Sequence, residues 1–137
     1  LAYLPKGSRL SHVGGDDFVC VVPGKVPADV LKTVCVSFDR DRMELFSRTD
    51  ALRGFFEARD RKGEICQVRL TTLSLSVVES EKLEAGMHAG HIAQVAASLK
   101  HYTKQMTALE GKSTYLFERR VHSTPILLGT GAVSTPR

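Results

Sequence analysis

An α+β domain, an α/β sandwich in which a mixed sheet carries flanking helices, is the fold this sequence predicts. Three observations carry that prediction. Short apolar runs flank Gly14-Gly15-Asp16-Asp17, a period-two pattern runs from Leu73 to Val77, and a helical stripe runs from Ile92 to Tyr102. The 137 residues suit one domain, and 42% hydrophobic with 25% charged residues describes a folded chain rather than a disordered one. No run reaches the roughly 20 apolar residues of a membrane-spanning helix. The longest, Leu70 to Val78, is broken by Thr71, Thr72, Ser74 and Ser76. Nineteen basic residues against 15 acidic ones give a net charge of +4, compatible with phosphate-bearing ligands and too small to argue for nucleic acid.

The elements follow in order. Leu1 to Arg9, with Pro5 and Gly7, reads as a loop. His12-Val13 and Phe18 to Val22 then form a hairpin about the two glycines, because tight hairpin turns demand a positive φ that glycine supplies. Pro23-Gly24 ends the second strand. A helix starts at Pro27, with Val30, Leu31, Val34 and Phe38 at helical spacing, and continues or restarts through Met43, Leu45 and Phe46. Arg48 to Gly54 reads as a loop with helical leanings. A second hairpin has Phe55-Phe56 on one arm and the run from Ile65 on the other, its exposed tip being Arg59 to Glu64. Leu73, Leu75 and Val77 alternate with Thr72, Ser74 and Ser76, which predicts a strand with its aliphatic face buried.

After a polar loop from Ser80 to Gly90, Ile92, Val95, Ala96, Leu99 and Tyr102 form one apolar helical stripe. Thr114 to Glu118 reads as the last strand. Residues 121–137, rich in Gly, Pro, Ser and Thr, read as a flexible tail or linker after a domain spanning residues 1–120. Cys20, Cys35 and Cys66 lack CxxC spacing and have apolar neighbours, so buried free thiols in a reducing, cytoplasmic compartment are expected. The chain begins at Leu1 without a basic-then-apolar leader, so no signal peptide is expected and the sequence reads as part of something longer.

The chemistry concentrates at one turn. Two glycines remove side-chain bulk where a phosphate could approach the backbone, and Asp16 and Asp17 offer hard oxygen ligands suited to Mg²⁺, with Mn²⁺ a possible substitute. Metal-assisted phosphoryl or nucleotidyl transfer wants that combination. Gly and Asp are also ordinary turn residues, so the pattern alone leaves a simple hairpin open. His88 and His91 lack a third ligand at helical spacing, and Gly111-Lys112-Ser113 lacks the first glycine of a phosphate loop. Asp39 and Asp41, flanked by arginines, read as surface residues, as does the Arg119-Arg120 pair.

Val13-Gly14-Gly15-Asp16-Asp17-Phe18-Val19 resembles the signature of GGDEF domains, the diguanylate cyclase family of bacterial signalling proteins, with Asp17 where Glu is usual. Leu73 to Val77 is similar to the family's Val-Ser-Ile-Gly-Val strand. Leu99 to Lys104 with Gly111-Lys112 is similar to its Ala-Leu-Tyr-x-Ala-Lys and Gly-Arg-Asn stretch. The resemblance spans about Ser11 to Arg120. It implies a five-stranded mixed sheet related to nucleotidyl cyclases and polymerase palms. It also implies a homodimer in which two GTP molecules, held with Mg²⁺, become cyclic di-GMP, usually under an upstream sensory or receiver domain. Gly14 and Gly15 would then border the phosphates. Asp16 and Asp17 would serve the metal and the 3′-hydroxyl, and Lys104 and Lys112 would neutralise the terminal phosphates.

Several family features are missing. The family opens with a strand bearing Phe-x-x-x-Asp-x-Asp-x-Phe-Lys and then an Asn and an Asp that read guanine, none of which occurs in the thirteen residues before Gly14. Without that strand the sheet loses a central member and the metal a ligand, so these residues alone are expected to be inactive. The Arg-x-x-Asp of product inhibition is replaced by Pro5-Lys6-Gly7-Ser8, and the usual Arg two residues before the first glycine is His12, expected as a hairpin side chain. The alternative expectation is a degenerate GGDEF module that binds GTP or a protein partner without turnover.

Overall fold

The computed structural model describes residues 4–123. The first hairpin is β1, Arg9–Gly14, paired antiparallel with β2, Asp17–Val21. Helix α1, Ala28–Asp41, uses Pro27 as its extended N-cap, and one 3₁₀ turn, Arg42–Leu45, prolongs it. The expected loop at Arg48 to Gly54 is instead a short helix, α2, Arg48–Arg53. Its signals were local: the Ser47 hydroxyl accepts from the Asp50 N–H at 3.1 Å, and Gly54 closes the C-terminus at φ +77°.

The second hairpin pairs β3, Phe55–Arg59, with β4, Ile65–Arg69. Its tip is held by Asp60, whose carboxylate accepts from the N–H groups of Lys62 at 2.8 Å and Glu64 at 3.0 Å. A βαβ unit follows: β5, Ser74–Val77, then α3, Ala89–Glu110, then β6, Thr114–Phe117, parallel to β5. Mixed helices and small sheets make the class α+β. The described strands pair two by two in three sheets, with no strand joining the first hairpin to the parallel pair.

The core lies where α3 crosses β5 and β6. Val95, Leu99, Thr103 and Thr107 are buried at steps of four, one ridge of the helix. Tyr102, expected in that stripe, is 54% exposed, because the ridge continues through the two threonines instead. Each threonine hydroxyl donates back to its own helix, to the carbonyls of Leu99 (3.0 Å) and Thr103 (2.8 Å). Across the interface the hydroxyls of Ser76 and Ser74 meet those of Thr103 and Thr107, both at 2.9 Å. The α3-facing side of β5 is therefore its serine side, and both faces are half-buried where one buried face was expected. Leu75 and Val77 alternate to the opposite face, as do their partners Tyr115 and Phe117, and all four are half-buried. Tyr115 there shares a cavity of about 350 Å³ with Cys35 and Val36, so α1 covers the second face.

Arg42, 9% exposed, fastens these layers. Its guanidinium donates to the carbonyls of Leu70 (3.4 Å), Thr71 and Gly111 (3.4 Å), and its Nε lies 3.3 Å from Asp39 Oδ1. Asp39 in turn accepts from the Ser113 N–H (2.8 Å) and hydroxyl (2.6 Å). Asp39 is thus a structural acid and not the surface residue expected, whereas Asp41 is exposed beside Arg40. The thiols also differ from expectation: Cys35 is buried, Cys66 half-buried and Cys20 exposed. Burial, with Asp39 nearby, pushes the Cys35 thiol pKa up, which keeps it protonated.

Residues 124–137 of the expected tail lie outside the described residues. The segment just before them is anchored. His122 donates its N–H to Lys82 O (2.7 Å), and its carbonyl accepts from Glu84 N (3.0 Å). Arg119 and Arg120 are exposed, as expected, and Arg120 also makes a two-pronged pair with the buried Glu118 (both contacts 3.0 Å).

Candidate functional site

The site begins with the backbone of the first hairpin. Gly15 and Asp16 are the two loop residues, and Gly14 pairs with Asp17 after a register shift beyond His12. Gly15 has φ +58° while Asp16 does not turn positive, so the demanding conformation falls on the first loop position, where a II′ hairpin turn puts glycine. His12 pins the loop: its Nε2 donates to Gly15 O at 2.9 Å and its ring lies 4.9 Å from that of Phe18. That is the hairpin role expected of it. A Cβ on Gly14 or Gly15 would meet nothing within 4 Å, so the backbone beside the acids is open on its outer side.

Asp16 projects from the tip with its side chain 89% exposed, and Asp17 opens the returning strand. Facing them is the polar flank of α3. Lys100 Nζ donates to Asp17 Oδ2, and Lys104, one turn further on, lies 3.8 Å from Asp16 Oδ2 and 4.0 Å from Asp17 Oδ1. Two carboxylates thus confront two ammonium groups across the gap between hairpin and helix. The hydrogen bond from Lys100 holds the Asp17 carboxyl below the usual carboxylate range, the charges of Lys100 and Lys104 adding to it, so it is ionised at neutral pH.

The structure brings Gly14, Gly15, Asp16, Asp17 and Lys104 together. Lys112 lies elsewhere, eight residues beyond Lys104 and past the Gly111 cap that ends α3. There it pairs with Glu110 at 3.2 Å and lines the cavity beside α1. The residue that sequence reasoning missed is Lys100, at a position the Ala-Leu-Tyr-x-Ala-Lys pattern fills with leucine. Its signal was present: a lysine four residues before Lys104 must share its helix face.

Both acids lie within 4.0 Å of the single Lys104 ammonium, so one cationic side chain serves the two carboxylates. Among the described residues no group of three or more His, Cys, Asp and Glu side chains is placed to hold a metal. Mg²⁺ commonly takes only one or two carboxylates and completes its octahedron with water and phosphate oxygens. Asp16 and Asp17 are the two side chains that would hold such a metal, and Mn²⁺ takes the same oxygen donors.

His88 caps α3 by accepting from the Gly90 N–H at 3.0 Å, and is accounted for by that bond. Ser74 and Ser76 are accounted for by their bonds to α3. No described helix is long and apolar enough to cross a membrane. Comparison with protein-family models, curated proteins and solved structures finds no match to this chain.

Proposed function

We propose that these residues belong to a GGDEF-type nucleotidyltransferase, a diguanylate cyclase that joins two GTP molecules into cyclic di-GMP. One observation carries the reading: Asp16 and Asp17, on a glycine turn, lie 3.8 Å and 4.0 Å from Lys104 of α3, so acids suited to a divalent ion and an ammonium suited to a phosphate stand side by side on an exposed surface. In this reading the open backbone at Gly14 and Gly15 admits the phosphates, and the α3 ammonium groups neutralise their charge. Asp17, kept ionised, and Asp16 offer oxygens to the metal and a proton acceptor to the attacking 3′-hydroxyl. Mg²⁺ when bound would supply polarisation of the phosphate. The new bond runs from the 3′-oxygen of one GTP to the α-phosphorus of the other, and pyrophosphate leaves. Two domains must face each other for both attacks.

A second reading draws on a specific observation: both carboxylates have lysine partners within the chain. A degenerate module that binds GTP without turnover would carry the same pairs. Asp17 is one methylene shorter than the usual Glu, which withdraws its carboxylate by about 1.5 Å, and misplacement by about 1 Å can cost on the order of 100-fold in rate.

The test uses a chain extended upstream, incubated with GTP and Mg²⁺ and assayed for cyclic di-GMP. Product that disappears in Asp16→Ala and Asp17→Ala supports the cyclase. GTP binding by calorimetry without product supports the binding module. A folded dimer that neither binds nor converts GTP rejects both.

A further inference from the structure

We propose that Lys100 is an exchangeable counter-ion. It holds Asp17 while the site is empty and transfers to a phosphate group when a polyphosphate brings in a divalent cation. The proposal rests on the reading of this site as one for a metal-bound triphosphate, and adds to it which residue couples the two ligands.

The pairing is built from side chains able to move. Lys100 and Asp17 are 83 residues apart in sequence, and their side chains are 38% and 43% exposed. Neither is clamped by burial, and a lysine has a long flexible stem ending in a compact charge. Lys104, 51% exposed, stands one turn away and already spans both acids. Two lysines against two aspartates sum to no net charge, so a lone divalent cation gains little on arrival. To take Asp17 Oδ2 it must also displace an ammonium group, and like charges at that separation repel.

No third metal-ligating side chain is at hand among the described residues. A polyphosphate supplies what is missing on both sides, oxygen ligands for the metal and anions for the displaced lysines. Metal and polyphosphate should therefore bind with positive coupling, each raising the affinity for the other, and Lys100 should carry a measurable share of it. A lysine kept only to brace the hairpin against α3 would give no such coupling.

Calorimetry on the folded chain can read this with Mn²⁺ and inorganic tripolyphosphate as probes. Removing the counter-ion, Lys100→Met, should raise the affinity for Mn²⁺ alone by about tenfold and weaken binding of the Mn²⁺–tripolyphosphate complex by a similar factor. Asp17→Asn frees Lys100 from its partner. It should therefore strengthen binding of metal-free tripolyphosphate severalfold while abolishing the gain from Mn²⁺. Lys25→Met removes an exposed pair with Glu81 (3.0 Å) at another part of the surface, and should change none of these affinities.

The proposal is overturned if Lys100→Met, with wild-type circular dichroism, binds Mn²⁺ no more tightly than wild type, or keeps full affinity for the complex. The cyclase reading fails separately: the coupling can be present while GTP yields no cyclic di-GMP. If neither probe binds wild type or variant, both ideas are lost.

Discussion

Arg42 shows how one buried cation can hold three chain segments. Its guanidinium serves carbonyls at Leu70, Thr71 and Gly111 while its Nε faces Asp39. Replacing it by methionine keeps the apolar stem but strands those carbonyls and leaves Asp39 with only its Ser113 bonds. Arg42→Met should cost roughly 3–5 kcal/mol, read as a lower urea midpoint, and Arg42→Lys should recover only part of that. An unchanged midpoint would mean that the three carbonyls find water instead. Glu118 makes a prediction about acid. The bonds from Arg120 hold its carboxyl at about 2, against an ordinary 4.5. The unfolded chain therefore binds this proton more readily, so the contribution to stability is complete above about 4.5 and is lost as pH falls towards about 2. Asp17, Asp41 and Asp50 are displaced in the same direction and share the acid limb. Glu118→Gln should flatten the rise of unfolding free energy with pH across that window, measured by urea titrations at stepped pH.

Among the elements, legibility followed the length of the physical signal. Helix α3 and both hairpins were readable because periodicity and turn chemistry act through near neighbours, as with Gly15 at φ +58°. Helix α2 was blurred because six residues give too short a stripe, although Ser47 and Gly54 were its caps all along. Which face of β5 meets α3 was not legible for a different reason. Alternation reveals two faces but not which one meets the helix, and here threonines at positions 103 and 107 of α3 make hydroxyl contact the better match for serines. Asp39 looked like a surface acid because its partner Ser113 lies 74 residues away. The site was half legible on the same grounds: the hairpin acids are contiguous, whereas the meeting of Asp17 with Lys100 depends on the docking of two distant elements. Lys112 stands apart from the turn because it follows the far end of the 22-residue α3, where it pairs with Glu110.

At the scale of the whole molecule the first hairpin pairs with no other described strand and meets the βαβ unit through the lysines of α3 at its tip. Cross-strand pairing puts Leu10, His12, Phe18 and Cys20 on one face, with Val19 and Val21 on the other. Leu10 is 52% exposed, Phe18 62% and Val21 66%, so apolar side chains look into water from both faces. An isolated two-stranded ribbon is marginal in water, and its unpaired edges invite another strand. Polar strands would make this a tolerable edge; these strands read as members of a covered sheet. The 137-residue chain alone should therefore self-associate as its concentration rises, with the hairpin as the contact. Sedimentation velocity across a hundredfold concentration range should show the shift, and Phe18→Ser with Val21→Lys should abolish it while leaving the α3 core folded. Cys20 gives an independent readout, being exposed on that hairpin while Cys35 is buried. Its reaction with a thiol reagent should be fast at low concentration and slow on association, and Cys35 should react only on unfolding. In the cyclase reading a further strand belongs in this sheet, so a chain extended upstream to carry it should keep Cys20 protected at every concentration and stay free of hairpin-mediated association. A wild-type chain that remains monomeric with Cys20 reactive throughout would show that the ribbon stands alone in solution.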